Sequence, residues 1–250
     1  MPEMVETNEG YRDPEEYFKG HNSVLKIEKS IKVLERLRRF GASRRLLDIG
    51  CGLGEMVRAA INLGFSAIGI ETSAEFAAAA QRAYGITVLN RALDKVLFDA
   101  CSFDVVTLRA VLEHVYRPAV LVAEINRILA PGGVLWLEVP NEASLYSVIA
   151  EQYLKFQHKT WTAHLSPTFA PFHVQGFTSQ SLTRLLSENG FDVVDLRTAV
   201  GSAWPRHSGG VAIRVEYHAE RAVHLIARLI PGASLNLEAI AVKAARRLGE

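Results

Sequence analysis

Asp48, Gly50, Gly52 and Gly54 alternate along the run Arg45-Leu46-Leu47-Asp48-Ile49-Gly50-Cys51-Gly52-Leu53-Gly54-Glu55. An apolar stretch ending in a carboxylate and alternate glycines reads as a buried strand feeding a turn that a ligand approaches closely, with a helix starting beyond it. The chemistry this suits is binding of a nucleoside-containing cofactor. A dinucleotide turn wants glycines spaced G-x-G-x-x-G. Here Glu55 holds the third place, and a carboxylate at a helix N-terminus repels a pyrophosphate. Asp48 is costly to bury unless it accepts hydrogen bonds or meets a cation, and is read as orienting the loop and facing a positively charged ligand. Glu71 follows the turn by about twenty positions, the place of an acceptor for ribose hydroxyls.

These residues need a scaffold that brings strand ends together. Strands are expected over about 45–50, 66–71, 86–90, 103–109, 133–140, 191–199 and 236–243, and helices over about 23–40, 53–63, 73–84, 117–130 and 178–189. Gly41, Gly64, Gly85 and Gly190 mark helix ends, Pro118 a helix start and Thr178 an N-cap. Strand and helix alternate through residue 140, which implies a parallel sheet with helices on both faces. Residues 1–40 form a helical lead-in. Two segments exceed ordinary connections: 141–177, aromatic and histidine-rich, with Leu145, Val148, Ile149, Gln152, Tyr153 and Phe156 at helical spacing, and 201–231, with Trp204 after its glycines and Ala222, Leu225, Ile226 and Leu229 on one helical face.

Strand, D-x-G-x-G-x-G and helix together resemble the first motif of the Rossmann-like, class I S-adenosylmethionine-dependent methyltransferases. The resemblance continues through Ile68-Gly69-Ile70-Glu71-Thr72-Ser73, Phe103-Asp104-Val105-Val106-Thr107, Val111-Leu112-Glu113-His114-Val115 and Leu129-Ala130-Pro131-Gly132-Gly133, covering roughly residues 44–200. Within that superfamily the chain is similar to the branch of ubiquinone-biosynthesis O-methyltransferases and small-molecule methyltransferases, which share the Glu-His pair and a late segment, here His173 to Thr178. The resemblance implies one α/β domain over residues 1–250. Its doubly wound seven-stranded sheet has the order 3-2-1-4-5-7-6, with the last strand antiparallel. Both long segments, 141–177 and 201–231, are expected on the substrate side; the aromatic 141–177 reads as a lid, with extra core and edge covering as the alternative for each. The implied cofactor is S-adenosyl-L-methionine, held by Asp48, Gly50, Cys51, Gly52, Gly54, Glu71, Thr72, Ala92, Leu93 and Arg109. Ala92 and Leu93 stand beside adenine, and Arg109 lies along the methionine part through its side chain or its carbonyl.

A hydroxyl acceptor with a pKa near 10 stays protonated at neutral pH, and histidine suits the removal of that proton. The resemblance selects His114 and His173; His114 has the alternative of holding loop backbone. His21, His158, His164 and His207 read as surface or lid histidines. Some ubiquinone-pathway relatives carry an acidic residue three positions before the Glu-His pair, where this chain has Ala110. Two adjacent ligands make a weak site, so no required metal is expected. Methyl transfer to a small-molecule hydroxyl is the expected activity. Transfer to nitrogen or carbon, binding without catalysis, and nicotinamide-dependent redox chemistry remain open.

Lys and Arg number 28 against 27 for Asp and Glu, a net charge near +1 that offers no general field for nucleic acid. Arg36, Arg38, Arg39, Arg44 and Arg45 read as a solvated helix end and loop. The first ten residues are acidic without an apolar core, and no apolar run is long enough to span a bilayer. Cys51 and Cys101 read as free thiols of a cytoplasmic protein, with Cys51 filling a tight turn. A monomer or homodimer acting on a small molecule, away from membranes, is expected.

Overall fold

The computed structural model describes residues 14, 23–41, 44–156, 158, 165, 173–199 and 234–244. The 201–231 segment, the lead-in over 11–22 apart from residue 14, including His21, and His164, His207 and Trp161 lie outside the described residues, as does most of the proposed lid beyond residue 156.

The chain runs α1 (Ser23–Leu37), β1 (Arg45–Ile49), α2 (Glu55–Asn62), β2 (Ser66–Ile70), α3 (Ala74–Tyr84), β3 (Val88–Leu89), β4 (Phe103–Arg109), α4 (Pro118–Ile128), β5 (Leu129–Pro140), α5 (Leu145–Phe156), α6 (Ser179–Glu188), β6 (Phe191–Ala199) and β7 (Asn236–Lys243). The seven strands form one sheet in the order β3-β2-β1-β4-β5-β7-β6. β1 to β5 pair in parallel, and β7 is antiparallel to both β5 and β6. This is the expected seven-stranded Rossmann-like sheet.

Alternation along the strands divides the core between the two faces. Leu47, Val106, Leu135 and Leu137 pack with Leu121 and Ile125 of α4 and Leu182 and Leu186 of α6. On the other face Leu46, Val105, Val134, Trp136 and Ile240 pack with Leu34 and Leu37 of α1, Val57 of α2 and Ala77 of α3. Such continuous apolar runs are what a parallel sheet covered on both sides requires.

Three boundaries differ from expectation. The first helix becomes a 3-10 turn over Arg38–Phe40 before Gly41. β3 shrinks to two residues. β5 starts at Leu129, because Leu129 pairs with Phe103 before Pro131 and its glycines loop out and Val134 resumes the ladder opposite Val105.

The arginine cluster is not a solvated face as a whole. Arg36 pairs with the buried Glu238 and, at 3.5 Å, with Asp195. Arg45 pairs with Asp104 at 2.7 Å, and Arg38 donates to the Leu63 carbonyl at 2.6 Å. Glu238 also accepts from the Trp136 indole at 2.6 Å and from Arg197 at 3.3 Å. A carboxylate buried in the sheet is thus met by three donors, and through Arg36 it fixes the C-terminal half of α1.

Candidate functional site

Parallel strands deliver their carboxyl ends to one rim, and the turn after β1 lies there. Gly50, Gly52 and Gly54 all have positive φ, at 66°, 52° and 79°, where a side chain is strained. A Cβ on Gly50 would stand 2.5 Å from Val111, whereas one on Gly52 would meet nothing within 4 Å and would fill the space over the loop. The amides of Gly50 and Cys51 both donate to the Ile70 carbonyl, at 2.9 and 3.0 Å, and that of Gly52 donates to Glu71 Oε2 at 2.8 Å. Glu71 Oε1 accepts from Ser73 N–H at 3.0 Å and faces the Thr72 hydroxyl at 3.5 Å. The loop is therefore oriented by Ile70 and Glu71, not by Asp48 as expected. Two ionised oxygens offer about four acceptor sites, so Glu71 keeps capacity for vicinal hydroxyls while holding the loop.

Cys51 is buried, with its sulfur in the notch left by Gly69, where a Cβ would come within 2.5 Å of Sγ. Burial first, then the nearby carboxylates of Asp48 and Glu71, push its thiol upward. It fills the turn and is no nucleophile.

Asp48 lies on the α1 face of β1 and accepts from the Thr107 hydroxyl of β4 at 2.6 Å. Burial pushes its carboxyl up to about 7, against the opposing effects of the Thr107 hydrogen bond and Arg109. The Arg109 guanidinium lies 5.1 Å over the Trp136 ring, and its Nε is 4.0 Å from Glu138. Its side chain is thus packed along β5. Glu55 is buried against α1, with Lys26 Nζ at 3.8 Å and the Ser23 hydroxyl at 3.5 Å.

On the β3 side, Asn90 donates from Nδ2 to the carbonyls of Glu71 and Thr72, both at 2.9 Å, fixing the end of β2. Ala92, Leu93 and Asp94 line a narrow slot with Ile49, Val111, Val115 and Leu121. Its lining is mostly apolar, and its volume of about 20 Å³ is no more than a water molecule needs.

Ala110, just past β4, has φ 52°, a conformation that costs a residue with a Cβ about 1 kcal/mol. Ala110→Gly is expected to raise stability by about 0.5–1 kcal/mol in urea unfolding; a loss of similar size would show that the methyl group is needed there. Beyond this turn, Glu113 is buried, and its carbonyl accepts from the amides of Val174 and Gln175 at 2.9 and 3.1 Å. That clamp brings the His173 ring to 4.9 Å from the His114 ring, edge to face. Gly176 of the same segment passes so close to Glu142 that a Cβ would stand 2.8 Å from its Cγ. Burial pushes the Glu113 carboxyl up to about 8, and its Oε2 has no hydrogen-bond partner among the described residues. Glu113, His114 and His173 each offer a ligand atom, all within 4.8 Å of one another. The expectation of no metal rested on two adjacent ligands; folding supplies a third.

The rim thus collects every site residue expected from the sequence. Lys26, Thr107 and Asn90 join them without having been singled out. Thr107 carried a signal in being a hydroxyl within the apolar middle of β4, but its pairing with Asp48 depends on the β1–β4 register.

A model of the methyltransferase domain family matches residues 24–196. The ubiquinone biosynthesis O-methyltransferase of Methylococcus capsulatus is 35% identical over 122 residues, 45% of this chain and 52% of that protein. A probable S-adenosylmethionine-dependent methyltransferase of Mycolicibacterium smegmatis is 27% identical over 197 residues, 76% of this chain and 69% of that one. The crystal structure of a SAM-dependent methyltransferase from Archaeoglobus fulgidus superposes with a TM-score of 0.59 at 21% identity, covering 92% of this chain and 97% of that chain. The chain spans about half the length of the first of these relatives. Among the described residues no helix is long and apolar enough to cross a membrane.

Proposed function

Because the chain belongs to the S-adenosylmethionine-dependent methyltransferase family, we propose that it transfers a methyl group from that cofactor to a hydroxyl oxygen of a small molecule. The residues at the rim fit the cofactor: a glycine turn open above Gly52, a ribose acceptor at Glu71 and a carboxylate at Asp48. Bound S-adenosylmethionine supplies a methyl group on a sulfonium, so much of the activation is carried by the cofactor itself. The chain's own contribution is alignment of donor and acceptor, which can supply about 7–11 kcal/mol.

The observation that carries the choice of oxygen is the His114–His173 pair at 4.9 Å, held by the Glu113 carbonyl beside the end of β4. With the cofactor bound, an imidazole there would take the hydroxyl proton while the methyl group passes to oxygen and its bond to sulfur breaks, the electron pair staying on the neutral thioether. His173 is assigned the base and His114 the contact that orients it. The ubiquinone-biosynthesis relative supports an oxygen acceptor to the extent of its partial alignment.

His173→Ala is expected to lower kcat by about 10²–10⁴-fold, the ordinary contribution of a general base, with the Kd for S-adenosylhomocysteine within about threefold of wild type. The measurement pairs product formation from labelled methyl donor, against a panel of phenols and amines, with calorimetry. Wild-type turnover on amines alone would overturn the oxygen assignment. Loss of turnover after chelation, restored by a divalent cation, would move both histidines from proton transfer to metal binding.

A further inference from the structure

The strand order fixes the side from which an acceptor approaches. Glu71, assigned to ribose, follows β2, and the glycine turn follows β1. A cofactor held by both presents its sulfonium toward β4, so the acceptor comes in from the ends of β4 and β5. The histidine pair stands on that side. The segment carrying His173 is tied to the Glu113 carbonyl through Val174 and Gln175, and its Phe177 carbonyl accepts from the Glu142 amide at 2.9 Å, just past β5.

Arg109 stands on that side too. It is the last residue of β4 and faces Glu138 of β5 in the parallel register. Its guanidinium lies 5.1 Å over the Trp136 ring, which aims the cation at β5, the strand on the far side of β4 from the glycine turn. The side chain is about one-third exposed. Its Nε has no hydrogen-bond partner among the described residues. Glu138 is 4.0 Å away, beyond hydrogen-bond reach, and its Oε1 is taken by Asn236 Nδ2 at 2.8 Å. A guanidinium carries five donors in a plane and grips a carboxylate with two of them, and stacking on an indole sets that plane in advance. The Ala110 amide donates to the Glu138 carbonyl at 2.9 Å, so the turn leading to Glu113 and His114 springs from the same pair. Besides burial, the Glu138 carboxylate adds to the rise of the Glu113 pKa, which puts the two carboxyl groups within one field.

We infer that Arg109 binds a carboxylate on the acceptor. The substrate class is then a hydroxy acid, with its hydroxyl at His173 and its carboxylate on the Arg109 guanidinium. The inference rests on the hydroxyl methyl transfer proposed above. A carboxylate that gives up water needs a cation in exchange, so a neutral analogue of the same shape is the poorer acceptor.

The test uses hydroxybenzoates, hydroxyphenylacetates and hydroxyphenylpropionates, which step the carboxylate away from the hydroxyl, each beside its neutral amide. Turnover is read from labelled methyl donor for wild type, Arg109→Met, Arg109→Gln and Arg109→Lys, with calorimetry of S-adenosylhomocysteine on each. Wild type is expected to favour at least one carboxylate over its amide, and the ratio of their kcat/KM values to fall about 10–100-fold in both neutral variants, the loss of a charge-assisted contact. Arg109→Lys keeps the charge without the fork and retains part of the ratio. Because the ratio is taken within one protein, a general loss of rate or fold does not move it, and the second neutral variant stands in if the first does not fold. A wild type that turns over amides as well as carboxylates overturns the role of Arg109 and leaves hydroxyl transfer standing. An unchanged ratio with weakened S-adenosylhomocysteine binding moves Arg109 to the cofactor's own carboxylate and equally overturns it. A wild type that methylates neither series overturns both readings.

Discussion

Glu71→Ala is expected to weaken S-adenosylhomocysteine binding by two orders of magnitude or more, with the sheet intact in circular dichroism. Two losses combine. Hydrogen bonds to a charged group contribute about 1.5–3 kcal/mol each, and the proposed function assigns both ribose hydroxyls to this carboxylate. It also accepts the amides of Gly52 and Ser73, so its removal unties the turn that approaches the tail and the start of α3. Glu71→Gln is not a mild substitute. An amide has one acceptor oxygen, so either Gly52 N–H or Ser73 N–H then faces an NH2 group. Calorimetry on the three proteins checks this, and equal affinity in wild type and Glu71→Ala would remove Glu71 from the ribose.

Asp48 gives the second large effect, through pH. In the ligand-free fold its carboxyl is held up at about 7, chiefly by burial, with Glu55 and Glu71 adding to the rise and Thr107 and Arg109 opposing it. A bound sulfonium and ammonium favour the ionised form, so cofactor binding expels a proton. Affinity for S-adenosylmethionine then climbs as pH rises towards about 7 and levels off above it, with a limiting slope of about tenfold per unit. S-adenosylhomocysteine lacks the sulfonium charge and shows a shallower climb. Stability of the ligand-free protein runs the other way. A carboxyl with a raised pKa contributes stability that is fully present below its unfolded value near 4 and is lost as pH rises to about 7, at up to about 1.4 kcal/mol per unit. Asp48→Asn keeps an acceptor for Thr107 and removes the titration. It flattens both curves, weakens S-adenosylmethionine binding at least tenfold above neutrality and makes the empty protein more resistant to urea there. Parallel pH curves for wild type and variant would show that Asp48 is not the group involved.

The cofactor side was legible in the sequence because its parts are local. The three glycines, Asp48 and Glu71 fall within 24 consecutive residues, and their conformations follow from residue type. The strand order came from family resemblance, since spacing alone does not place β7 between β5 and β6. Contacts between distant segments were hidden. Arg36 reads as part of a polar helix stripe, and its partner Glu238 lies 202 residues further on. Lys26 carries no local signal, and Glu55 reads only as a carboxylate that disfavours a dinucleotide; their pairing shows once α1 is laid over the turn. The start of β5 was misplaced because Pro131-Gly132-Gly133 signals a turn, and nothing local reveals that Leu129 enters the ladder before it. His173 was selected by resemblance, while its nearness to His114 depends on the two amides that meet the Glu113 carbonyl.

The network around Glu238 also fixes where the folding unit begins. Without α1, the Trp136 face of the sheet would be bared to water and the carboxylate beneath it would lose its shortest cationic contact. A truncation designed to start at β1 would retain every glycine of the nucleotide turn yet sacrifice solubility, so the smallest autonomous fragment has to include the helix that precedes the Rossmann core.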